Sequence, residues 1–189
     1  MNDFPQFRPT QDDIDNLPDD AYDIDQLVAS YTEWIKRIDE LDRVIRSIKD
    51  AFNGVTIGDG IGMLEANGRD NYADDAELKR LRSIDCRTDW RSIAPESLIH
   101  SAPSFMDAQG FVFHIPAYLI AELNDQFDGD FLYRLYQKDP FPFGWPSLLN
   151  NEQSNAITAT LALIVEHPNY CDEAKKIHLA IERLGRAAG

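Results

Sequence analysis

Residues 25–52 read DQLVASYTEWIKRIDELDRVIRSIKDAF, and Leu27, Tyr31, Trp34, Ile38, Leu41, Ile45, Ile48 and Phe52 recur within them at alternating spacings of four and three. That period lines one face of an α-helix and fits no strand. It predicts a single helix of about 27 residues, opening at an Asp23 or Asp25 cap and closing before Asn53-Gly54, where glycine suits a left-handed last residue. Val28, Ile35 and Val44 widen the apolar stripe, and Trp34 and Phe52 are bulky for a coiled-coil seam. Packing on the chain's own core is therefore the first reading, and a homodimer through residues 27–52 the alternative.

Working outward, the glycine cluster Gly58-Asp59-Gly60-Ile61-Gly62 lacks the Gly-Lys-Ser/Thr ending of a phosphate loop and reads as a turn feeding a helix at Met63. A short helix follows from Asp74 or Asp75 through Leu78 and Leu81 to Ile84. Residues 92–104 read as an irregular connection. Phe111 to Ile115 is rich in β-formers and predicts a short strand paired with Val55 to Ile57, with Pro116 opening a helix that runs to Phe127. Phe131 to Tyr136 is ambiguous, and residues 138–147, with three prolines, form an aromatic loop holding Phe141, Phe143 and Trp145. Asn150 with Gln153 makes a capping box for a helix ending before Pro168. A last helix opens near Asp172, lines up Ala174, Ile177, Ile181 and Leu184, and ends before Gly185. The expected fold is mainly α, one helical domain over residues 23–189 with at most a small two-stranded β element.

The 189 residues carry a formal net charge of −15, a field that repels nucleic acid and anionic membranes and attracts basic proteins. Residues 1–25 hold eight Asp against one Arg and so carry −7 of it. Residues 1–22, interrupted by Pro5, Pro9 and Pro18, read as an acidic arm, mobile or loosely docked, without a helix of its own. The opening Met-Asn-Asp-Phe-Pro has neither the basic nor the apolar region of a signal peptide, and no run reaches the ~18 apolar residues of a membrane span. Cys86 and Cys171 fit no metal or redox spacing, so two reduced thiols in a cytoplasmic protein are expected.

The run Phe105-Met106-Asp107-Ala108-Gln109-Gly110-Phe111-Val112-Phe113-His114-Ile115-Pro116-Ala117-Tyr118 resembles a bacterial family of unknown function whose members carry Phe-x-Asp-Ala-x-Gly-Phe-x-Phe-x-x-Pro-Ala-Tyr. Gly58-Asp59-Gly60, Glu65-Ala66, Asp89-Trp90 and the stretch from Leu149 to Gln153 extend the likeness over residues 45–165. It implies one fold unit and no particular activity, and the acidic arm lies outside it.

Chemistry is sparsely marked. No two of His100, His114, His167 and His178 stand at the i, i+4 spacing of a helical metal site, and no metal or cofactor is expected. A polar pocket of Asp107, His114 and Tyr118 is the candidate for a small ligand or a reaction. Cys86 beside Arg82 and Arg87 is read as an ordinary thiol, and Asp85, Asp89, Arg87 and Arg91 as structural ion pairs. The first functional reading is a non-catalytic acidic binding protein, for instance an immunity or inhibitor protein covering a cationic bacterial toxin. Asp12, Asp13, Asp15, Asp19 and Asp20 would steer such a partner and Trp145 would anchor it. The alternative is a small-ligand-binding protein or enzyme.

Overall fold

Every regular element among the described residues is helical. The computed structural model describes residues 7–18, 24–129, 131–137 and 144–187. In chain order the helices are α1 (Gln11–Asp15), α2 (Ile24–Ile35), α3 (Ile38–Ala51), α4 (Met63–Asp70), α5 (Asp75–Ile84), α6 (Ala108–Leu123), α7 (Phe131–Tyr136), α8 (Asn151–Ile164) and α9 (Ala174–Ala187). Single 3₁₀ turns punctuate the connections, among them Trp90–Ser92, Trp145–Leu148 and Pro168–Glu173.

The centre is α6, and it overturns the expected strand. Phe111 to Ile115 is its second turn, opened by the Asp107 carboxylate, which accepts the Gly110 N–H at 2.8 Å. Thirteen of its residues are buried, so it has no polar face and no 3.6-residue pattern to announce a helix. A continuous apolar run of this kind reads equally well as a strand. Pro116 lies inside the helix rather than at its start, where it removes the bond residue 116 would otherwise donate to the Val112 carbonyl. Val55 to Ile57 is extended connection, with the Ile57 N–H donating to the Arg87 carbonyl at 3.0 Å.

Around α6 pack α3, α7 and the 3₁₀ turns at Trp90 and Trp145, while α8 joins α3 to α9, and α4 with α5 forms a hairpin. The predicted 27-residue helix is two, α2 and α3. At their junction the Arg37 N–H donates to the Trp34 carbonyl and the helix restarts from Arg37. Arg37 is held there by Glu40 at 3.0 Å and Glu166 at 2.8 Å, with its guanidinium over the Trp34 ring. Tyr31, Trp34, Leu41, Ile45, Ile48 and Phe52 are buried within the molecule, while Leu27 and Ile38 are half-buried. The last helix also differs, running through Gly185 to Ala187.

The N-terminal segment is docked and partly helical. Phe7 is buried, its N–H and that of Arg8 each donate to the Asp125 carboxylate at 2.7 Å, and its carbonyl accepts from the Trp34 indole. After Pro9, Thr10 and Asp13 form a reciprocal capping box that starts α1. The eight residues between Pro9 and Pro18 are enough for one short capped helix, which a whole-segment reading misses.

Candidate functional site

In the expected pocket of Asp107, His114 and Tyr118, His114 is 1% exposed and Tyr118 fully buried. Asp107, His114 Nδ1 and Tyr118, set along α6, each bond backbone groups, while His114 Nε2 is buried without a partner among the described residues. Asp107 Oδ1 accepts from Gly110 and, at 3.0 Å, from the Ile61 N–H. His114 Nδ1 lies 2.7 Å from the Gly110 carbonyl, which can only accept, so Nδ1 carries the proton and Nε2 does not. Burial drives the His114 pKa down to about 4, helped by the charge of Arg87, and the ring is neutral. The Tyr118 hydroxyl donates to the Ile99 carbonyl at 2.8 Å, and burial pushes its pKa far above the ordinary phenol value.

The glycine loop beside them is likewise structural. Arg87 grips the Gly58 and Gly60 carbonyls, and Arg82 the Asp59 carbonyl at 2.6 Å. A phosphate cradle turns N–H groups toward an anion, whereas this loop turns carbonyls toward cations. Asp85 caps α4 through the Leu64 and Glu65 N–H groups at 2.8 and 2.9 Å, and buried Glu65 is neutralised by Arg69 and Arg82. Burial raises the Asp85 pKa despite those bonds. Farther along, Asp89 caps its 3₁₀ turn, Arg91 covers the Trp90 ring, and the Cys86 thiol meets Ser92. Both cysteines are unpaired thiols. No cluster of three or more His, Cys, Asp or Glu able to hold a metal occurs among the described residues.

Trp145 cannot serve as an exposed anchor: it is fully buried and packs on Phe111 at 5.4 Å. Asp19 and Asp20 lie outside the described residues, as do Phe141 and Phe143. Asp12, Asp13 and Asp15 are exposed on α1. Beneath them α1 and α2 bound a groove of ≈ 350 Å³ floored by Leu17, Leu27 and Tyr31.

A second cavity, which the sequence did not reveal, opens at the same end. It has a volume of ≈ 170 Å³ between the loop that follows α6 and the turn before α9. Phe7, Phe127 and Tyr170 give it aromatic walls, and Glu122, Asp125 and Asp128 supply carboxylates. His167, buried beneath, meets the Trp34 ring edge-on at 4.5 Å and Phe7 at 4.9 Å. Burial raises the Asp125 pKa against the bonds from the Phe7 and Arg8 N–H groups and the charge of Arg8, with a last upward push from Asp13. No sequence signal joins these residues, since they come from three distant segments. One further residue was missed: Tyr72, 96% exposed, sits at φ +55° just past α4, a backbone position that favours glycine.

Residues 40–183 match a family model described as "Family of unknown function (DUF6714)". That span contains the 45–165 of the resemblance and leaves out α1 and α2. No curated protein and no solved structure matches the chain.

Proposed function

We propose that this chain, which belongs to the family of unknown function DUF6714, is a non-catalytic binding protein for a basic protein partner. The observation that carries the reading is the acidic end: Asp12, Asp13 and Asp15 stand exposed on a docked, capped helix, and the charge of Asp13 reaches Asp125. Carboxylates held on a folded platform attract a cationic surface at longer range and with less ordering cost than a loose tail. The groove under α1 adds apolar area that a docked partner can bury. Its concrete form is a cytoplasmic bacterial immunity or inhibitor protein that covers a cationic toxin. The interior supports the non-catalytic side of the reading, because His114 and Tyr118 are buried and His114 Nδ1, Tyr118 and Asp107 bond backbone partners. The test is affinity capture from the source lysate by the wild type and by an Asp12→Asn, Asp13→Asn, Asp15→Asn variant. A basic protein retained by the first and lost by the second supports the reading. Equal retention by both, or none by either, removes it.

A further inference from the structure

We infer that the cavity between Phe7, Phe127 and Tyr170 is a receptor for one organic cation, an alkylammonium or alkylguanidinium group.

The walls and the charges argue together. Aromatic faces attract a cation through their quadrupole, while their area is filled by an alkyl stem. Three carboxylates, Glu122, Asp125 and Asp128, line the same space, and among the described residues no lysine or arginine does. The Arg8 guanidinium pairs with Asp42 at 2.6 Å, and its charge offsets only part of the upward push of burial on Asp125. Asp125 stays in place because both its oxygens are fixed by the N–H groups of Phe7 and Arg8, and Glu122 accepts the Leu132 N–H at 2.8 Å. The negative charge is thus preorganised rather than recruited. A bare divalent metal fits poorly, since it needs several oxygens stripped of other partners, whereas an organic cation needs only the field and the walls. The raised pKa of Asp125 agrees with negative charge left in a partly desolvated place. At ≈ 170 Å³ the space is below the ~300 Å³ at which drug-sized ligand sites begin, and it suits a single side chain or a small amine.

The inference rests on the basic-partner reading only for the source of the cation, which is then a Lys or Arg side chain of that partner; a free amine is the other source. The experiment is an amide NMR titration of the full chain with n-butylammonium, n-butylguanidinium, n-butanol and N-acetyl-lysine-N-methylamide. Saturable shifts at residues of the cavity with the cations and none with butanol are expected. Asp128→Asn, at an exposed position, should weaken cation binding about threefold or more, and Tyr170→Leu should weaken it while keeping apolar area. Equal response to butanol, no saturable shift, or indifference to both substitutions overturns the inference. If butylammonium binds and the lysine amide does not, the source is a free amine. If the cations bind while lysate capture yields no basic protein, the receptor stands and the basic-partner reading falls.

Discussion

The Trp34 indole N–H donates to the Phe7 carbonyl at 2.7 Å, across 27 residues of sequence. Together with the two N–H bonds to Asp125, this contact fixes the start of the described chain on α2 and on the loop after α6. Phe7 thereby covers His167 and forms a wall of the cation cavity.

Phe7→Ala should therefore cost about 3–4 kcal/mol of stability, as expected for removing a buried phenyl ring. Trp34→Phe, which keeps most of the packing and loses the indole donor, should cost about 1–2 kcal/mol. Urea unfolding of both variants measures this. Near-wild-type stability of Phe7→Ala would mean that the N-terminal segment is not part of the core.

Tyr72 offers a prediction of opposite sign. The Ala73 N–H donates to the Gly68 carbonyl at 2.9 Å, and Tyr72 occupies the left-handed residue of this helix stop with its ring in solvent. Tyr72→Gly should raise stability by about 1 kcal/mol, since glycine carries no strain there and little packing is lost. An upward shift in the thermal midpoint is the expected result.

Gly110 is the least replaceable glycine. A Cβ at this position would overlap the Ile61 carbonyl, a backbone group that cannot swing aside, at the point where α6 meets the glycine loop. Gly110→Ala should destabilise by about 3 kcal/mol or more through displaced backbone. Gly185→Ala, with open space around its Cβ on an exposed helix, should be neutral or stabilising by up to about 1 kcal/mol. Denaturant midpoints of the pair separate crowding from conformational freedom.

His114 sets a pH dependence. Its folded pKa of about 4 lies below the ordinary 6.5, so between those values the unfolded chain binds a proton that the folded one refuses. Stability from this residue is complete above pH ~6.5 and is lost as pH falls toward 4, by about 3 kcal/mol in all. Asp85 and Asp125, whose pKa values are raised, act the other way: part of their burial cost is relieved as they protonate on acidification. The clean readout is the difference between wild type and His114→Leu: as pH falls from 6.5 to 4, wild type should lose stability relative to the variant. A constant gap would place His114 in a hydrated setting.

The sequence was most legible where burial is one-sided. The stripe from Tyr31 to Phe52, the Asp74 cap and the Asn150–Gln153 capping box all appear in the structure. It was least legible in α6, where burial on every side erases the period that separates helix from strand. The break at Arg37 was invisible because the apolar spacing of four and three continues across it. Asp107 caps α6, and a single sequence does not distinguish a capping carboxylate from one that lines a pocket. Trp145 misled for the opposite reason: a proline-rich neighbourhood suggested exposure, while tertiary packing against Phe111 buries the indole. The cavity itself joins Phe7, the segment from Glu122 to Asp128, and Tyr170, so only the folded chain brings it together.

Recruitment of a basic partner by the acidic end is read from the salt dependence of affinity for the captured protein, measured calorimetrically for the wild type and for the α1 triple variant. Wild-type affinity should fall steeply as salt rises, and the variant should be weaker at low salt and converge with it at high salt. Affinity unchanged by salt, with wild type and variant superimposed throughout, would contradict such recruitment.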